Sequence, residues 1–180
     1  KEYERLKESL ALQNSFDGGR EKYTKGKHDF IVRTLRNASD NTCFYNVKQI
    51  LTNDNILELL APSVYKPTKE KLLNRAFKYQ QNDNTHIYAY KDSEYKGIVV
   101  FEIADNSATI CDLAVKPKCQ GRGIAGKLVD FIFNRFSVET VTAETDDDAI
   151  GFYKKYGFTV ADTKVEFDTK RYLCICENVT

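Results

Sequence analysis

Three observations predict a mixed α/β (α+β) fold, with a largely antiparallel sheet and helices packed on it. First, from residue 43 onward strand-like runs and helix-like patterns follow one another in the order β-α-α-β-β-β-α-β-α-β-β. Second, several neighbouring strand-like runs are joined by short polar turns, which suit antiparallel partners. Third, one strand–loop–helix–strand unit, from ATICDLAV to VETVTAE, supplies a parallel pair inside that sheet. The 180 residues are enough for one domain with a real core.

Taken in order, the first forty residues carry weak patterns. Lys1–Leu12 fits an amphipathic helix with Tyr3, Leu6 and Leu10 on one face, NSFDGG stops it, and His28–Arg36 offers a second short apolar pattern. Residues 1–40 are therefore read as an N-terminal extension and 41–180 as the domain. The chain begins at Lys1 and contains no Met, so its true start is expected to lie upstream. CFYNVKQIL, rich in aromatic and branched side chains, reads as the first strand. Asn53–Leu60 and Thr68–Gln81 read as helices separated by the breakers Pro62 and Pro67. HIYAYK and YKGIVVFEI form a hairpin around DSE, and Asp105-Asn106-Ser107 turns the chain into ATICDLAV. After a glycine-rich loop, Ile124, Leu128, Phe131, Ile132 and Phe136 share one broad helical face. VETVTAE is a strand, DDDAIGFYKKY a helix, and FTVADTKVEF with RYLCICE a closing hairpin.

Composition narrows the function classes. Lys and Arg total 27 against 26 Asp and Glu, so no basic excess points to nucleic acid. No apolar run reaches the length of a membrane span and no signal-peptide pattern opens the chain. The five cysteines (Cys43, Cys111, Cys119, Cys174 and Cys176) are odd in number and lack disulfide-like spacing, which favours a reduced, cytoplasmic setting.

The chemistry concentrates in QGRGIAGKL, which fits three phosphate-binding patterns. Gly121, Gly123 and Gly126 spell the G-x-G-x-x-G of dinucleotide folds, but KPKCQ separates them from the strand and too little chain follows for a doubly wound sheet. Gly121, Gly126 and Lys127 approach a P-loop, but Leu128 replaces the hydroxyl that would reach magnesium. Gln120, Gly123 and Ala125 spell Q-x-x-G-x-A, a pattern of enzymes that hold coenzyme A. Under every reading, glycines allow close backbone approach and the helix N-terminus attracts an anion.

The flanks select the third pattern. CDLAVKPKCQGRGIAGKLVDFIF and, one strand later, AETDDDAIGFYKKYGF together resemble the GNAT family of N-acetyltransferases. The first stretch matches V-x-P-x-x-Q-x-x-G-x-A, and the second matches A-x-x-F-Y-x-x-x-G-F. The resemblance runs from about residue 43 to the C-terminus. It implies a GNAT-like sheet of about six to seven strands, helices on both faces and a splayed central strand pair.

It further implies that backbone groups of Leu113 and Val115 hold a pantetheine arm. Gln120, Gly121, Arg122, Gly123, Ala125 and Gly126 would form the pyrophosphate loop, with Arg122 adding a charge-assisted contact. Tyr153 falls where the family's tyrosine often protonates the leaving thiolate, although Phe152 and Tyr153 also fit as aromatic core residues of a short helix. Where many members carry Asn near the coenzyme, this chain has Asp146, which also suits a helix N-cap, with Asp147 and Asp148 at the positive end of the helix dipole. The family places its general base variably. The usual strand position holds Thr109, with Cys111 and Asp112 further along, so Glu144, Glu102 or an ordered water are the candidates. His28 and His86 form no constellation, Cys174 and Cys176 alternate as core residues, and no metal is expected.

The implied activity is acetyl-CoA-dependent N-acetylation of a primary amine on a small molecule or peptide. The alternative is a non-catalytic acyl-CoA sensor, kept open by the missing glutamate on the strand before the loop. The expected partners are the amine substrate alone, without nucleic acid or membrane, and the protein is expected to be a monomer or homodimer.

Overall fold

The computed structural model describes residues 43–166 and 168–178. The helix expected over Lys1–Leu12 and the pattern at His28–Arg36 lie outside the described residues. Seven strands, β1 (Phe44–Asn46), β2 (Thr85–Lys91), β3 (Tyr95–Ala104), β4 (Ser107–Val115), β5 (Thr140–Thr145), β6 (Thr159–Glu166) and β7 (Thr169–Glu177), form one sheet in the order β1-β2-β3-β4-β5-β7-β6. Every pairing is antiparallel except β4 with β5. Among the described residues four α-helices accompany it: α1 (Asp54–Leu57), α2 (Lys69–Gln81), α3 (Ile124–Phe136) and α4 (Ile150–Tyr156).

Two segments depart from the pattern reading. The first strand is shorter than CFYNVKQIL, because the Asn46 side chain accepts from the Lys48 N–H at 3.1 Å and turns the chain into a 3₁₀ turn at Lys48–Ile50. The helix expected over Asn53–Leu60 is α1, capped by the Asn53 side chain, followed by a 3₁₀ turn over Glu58–Ser63 that carries Pro62. The second helix keeps its limits, with the Thr68 hydroxyl accepting from the Lys71 N–H at 3.3 Å.

β3 explains why helices cover both faces. Its run Gly97–Phe101 is wholly buried, and successive side chains alternate between two cores. Val99 and Phe101 join Leu128, Val129 and Ile132 of α3. Ile98 and Val100 join Ile87 and Ala89 of β2, Leu59 and Leu60, and Leu72 and Ala76 of α2. Burying each such side chain contributes roughly 1.5–3 kcal/mol, so this strand carries a large share of the fold. Among the described residues no helix is long and apolar enough to cross a membrane.

Gly97 sets how closely α3 approaches the sheet. A Cβ there would stand 3.1 Å from the Ala114 carbonyl oxygen, 3.1 Å from Ile124 Cγ2 and 3.2 Å from Leu128 Cδ1. Gly97→Val is therefore expected to destabilise the domain by about 1–3 kcal/mol through overpacking. Chemical denaturation checks this, and an unchanged midpoint would show that the contact relaxes freely.

Candidate active site

The site grows from one irregularity in β4. Ser107–Ile110 pair with Thr140–Ala143 of β5, and there the parallel pairing stops. At the same place Val100 faces Asp112 while Phe101 faces Ile110, so Cys111 is an extra residue, a β-bulge. The bulge changes the phase of the strand. Before it, Ala108 and Ile110 pack on the α3 side; beyond it, Leu113 and Val115 do so, while Ala114 joins the α2-side core. β4 thus separates from β5 just where its side chains change face.

The loop after β4 is held from within. A 3₁₀ turn at Pro117–Cys119 closes with the Cys119 N–H on the Lys116 carbonyl at 2.8 Å. Gln120 turns its side-chain amide back to the Val115 carbonyl at 3.1 Å, so it braces the loop against the strand end. Gly121 and Gly123 adopt φ of +73° and +75°, conformations that favour glycine. Gly123 is the N-cap of α3 and offers no side-chain acceptor. The Lys127 N–H closes on the Gly123 carbonyl at 3.0 Å. The preceding N–H groups of Ile124, Ala125 and Gly126 have no intrahelical acceptor, as in any first helical turn.

These groups border a cleft of about 600 Å³. One wall is Leu113 and Val115 of β4, the second is the loop from Cys119 through Gly126, and the third is the segment from Asp148 into α4. Tyr153 lines the cleft yet is only 6% exposed, with its ring edge-on to Phe152 and Phe158. Burial, reinforced by the charges of Cys174, Asp112 and Asp146, pushes its phenol far above the ordinary tyrosine value. Tyr153 therefore keeps its proton. Tyr156, also in the lining, donates to Asp130 of α3 at 2.6 Å and lies against Gly126, where an added Cβ would meet its ring at 3.6 Å.

The carboxylates divide sharply. Glu144 is ion-paired to Lys164 at 2.9 Å and Arg171 at 3.2 Å, and these cations hold it below the usual carboxylate range. Asp146 accepts from the Asp148 N–H at 3.2 Å and lies 3.5 Å from Arg171. It does not cap the helix directly, because α4 begins at Ile150 with Ala149 as its N-cap. Asp147 accepts from the Tyr172 hydroxyl at 2.6 Å. Glu102 stands apart, accepting at one oxygen, Oε1, from Asn82 at 2.8 Å and Thr85 at 3.3 Å. It aligns across the sheet with Thr109, whose hydroxyl meets that of Thr142 at 3.0 Å.

The structure therefore brings together Leu113, Val115, Gln120, Gly121, Gly123, Ala125, Gly126 and Tyr153 in one cleft. Arg122, Asp146, Glu102 and Glu144 lie outside its lining. Lys127 also lies outside, with its ammonium 5.4 Å from the Tyr90 ring centroid. His86 stacks on Phe101 and is lowered in pKa by burial, a packing role. The sequence reading named Asp112 without a role and missed its partners: the buried carboxylate accepts from Tyr79 at 2.6 Å and Arg75 at 3.1 Å. A lone acid in an apolar strand, with Arg75 and Tyr79 one helical turn apart on α2, was the available signal.

Comparison with known proteins agrees with this geometry. The model of the acetyltransferase (GNAT) domain matches residues 55–173. No curated protein matches the chain. Among solved structures, an aminoglycoside 6'-N-acetyltransferase complexed with coenzyme A is similar over 74% of this chain and 96% of its own, at 13% identity and a TM-score of 0.63. The Campylobacter jejuni N-acetyltransferase PseH is similar over 75% of this chain and 96% of its own, at 19% identity and a TM-score of 0.56. The Vibrio cholerae spermidine N-acetyltransferase SpeG, as a point mutant, gives 74% and 94%, at 13% identity and a TM-score of 0.54. These similarities establish the fold, a mostly antiparallel seven-stranded sheet with helices on both faces. With the family model covering most of its length, the chain belongs to the GNAT acetyltransferase family.

Proposed function

We propose that residues 41–180 form an enzyme that transfers an acetyl group from acetyl-CoA to a primary amine of a small molecule or peptide, by direct attack. The observation that carries this reading is the cleft at the N-terminus of α3, joined to the unpaired half of β4. Free N–H groups at Ile124, Ala125 and Gly126 suit a pyrophosphate, and the separated strand edge at Leu113 and Val115 suits an amide-bearing arm. Coenzyme A contains both in that order.

Acetyl-CoA supplies the acyl group as a thioester. The chain's own part is to hold amine and thioester in line and to move two protons. Tyr153 keeps a phenolic proton beside the cleft and delivers it to the departing thiolate. Glu102, with Oε2 not committed to a described hydrogen bond, receives the proton shed by the amine, directly or through water. Glu144 is set aside as the base, since the cations that pair with it reduce its basicity.

Calorimetry with coenzyme A, ATP and NAD tests the ligand. Coenzyme A alone is expected to bind, and Gly123→Val to weaken it about tenfold by straining the φ-positive cap; ATP binding without coenzyme A would overturn the reading. A thiol-release assay over a panel of amines tests the chemistry. Tyr153→Phe and Glu102→Gln are each expected to lower kcat roughly 100-fold with coenzyme A affinity kept, the scale of general acid–base catalysis. Glu144→Gln is expected to leave kcat within about twofold, since an exposed ion pair contributes little. Because burial raises the Tyr153 pKa, the proton-bearing form persists as pH rises, and no loss of rate from its ionisation is expected up to about pH 10. A Tyr153→Phe enzyme with the wild-type rate would remove the phenol from the mechanism.

A further inference from the structure

Among the described residues Asp112 is the only buried carboxylate, with its side chain 4% exposed. Burying a charge is unfavourable unless partners restore what water supplied. Both oxygens are in fact taken up. Oδ2 accepts from the Tyr79 hydroxyl at 2.6 Å, and Oδ1 accepts from Arg75 Nη1 at 3.1 Å. Arg75 Nη1 also donates to the Ser63 carbonyl at 3.3 Å. One side chain of β4 is thereby fastened to α2 and, through Arg75, to the 3₁₀ turn that precedes it.

Its position matters more than its strength. Asp112 follows the bulge at Cys111, on the stretch of β4 that no longer pairs with β5. That stretch has one strand neighbour, β3, instead of two. A slip of one residue would turn Asp112 into the apolar α3-side core and Leu113 away from the cleft. Apolar packing of Leu72 and Ala76 already seats α2 on the sheet, so stability alone does not require a charge here. A well-packed apolar replacement for a buried ion pair is often neutral or stabilising, and the best-attested use of such a pair is to fix register. Burial raises the pKa of Asp112, and its charge contributes to the rise at Tyr153.

We propose that Asp112, gripped by Tyr79 and Arg75, is a positioning residue that fixes the register of the unpaired half of β4, so that Leu113 and Val115 present their backbone to the acyl-pantetheine arm. This rests on the coenzyme A reading of the cleft. The anchor acts from the α2 face, opposite the side on which Leu113 and Val115 line the cleft.

The test compares wild type, Tyr79→Phe and Asp112→Asn, the second placing an amide where both partners donate. Calorimetry with acetyl-CoA and with adenosine 3',5'-bisphosphate separates the strand from the phosphate loop, since the bisphosphate lacks the pantetheine arm. Acetyl-CoA is expected to bind about tenfold more weakly to each variant, the worth of one charge-assisted hydrogen bond, while bisphosphate binding stays within about twofold. Hydrogen exchange of the ligand-free proteins should quicken about tenfold over residues 111–115 and stay unchanged over 98–101, the mark of a local opening. Equal weakening of both ligands, or unchanged exchange over 111–115 in a folded variant, overturns the proposal. If Asp112→Asn does not fold, Tyr79→Phe decides alone. Failure of the wild type to bind acetyl-CoA overturns the reading of the cleft, and the exchange measurement still judges the anchor.

Discussion

A parallel strand pair that stops pairing after Ile110 and Ala143 leaves backbone donors and acceptors of β4 with no strand beside them. Polar backbone groups so exposed must find another partner or face water. In this molecule the answer is a cleft, and most nearby features can be understood as consequences of keeping it open. The bulge at Cys111 bends β4 away, and Asp112 is pulled toward α2. Gln120 occupies the carbonyl at the strand end, and α4 stands across the gap with Tyr153 in its lining. Remove the early end of the pairing, and none of these arrangements has a purpose.

Electrostatics then sorts the polar groups around that gap. The uncapped first turn of α3 offers partial positive charge to an anion, with no side chain competing for its N–H groups. A phenol sunk among Phe152 and Phe158 holds its proton because phenolate would be poorly solvated there. In the neighbouring sequence, Glu144 and Asp146 are ion-paired by Lys164 and Arg171 of the closing hairpin, and Asp147 accepts a hydrogen bond from Tyr172. The Cys111 thiol is pushed up to about 11 by burial and by the charges of Glu102 and Asp112, so it is a poor nucleophile despite its central position. The family match carries the enzymatic reading, and nothing in the comparisons supports a non-catalytic sensor.

How much of this was legible beforehand depends on the range of the interaction. The element order, the parallel pair and the glycine loop follow from local periodicity and turn chemistry, and these match the sheet observed. The loop motif and FYKKYGF together placed eight residues that line one cleft. Local pattern says least where a distant partner decides. The ion pairs of Glu144 come from β6 and β7, whose Lys164 and Arg171 lie 20 and 27 residues away along the chain. Asp146 looked like a helix cap, but one further turn separates it from α4. Asp112 was named but given no role, because Tyr79 and Arg75 lie 33 and 37 residues upstream, beyond any local pattern.

Gly97 carries a last implication. It does not line the cleft, and it carries no side chain, yet the helix whose N-terminus borders the cleft rests directly above it through Ile124 and Leu128. The absent side chain acts as a spacer of zero thickness, setting the height of the loop over the strand that carries Val115, its partner in register. A Cβ added there would press Ile124 and Leu128 outward by a few tenths of an ångström, shifting the α3 wall of the cleft against Leu113 and Val115. The spacing between two walls of the cleft is thus set at a position that lines neither.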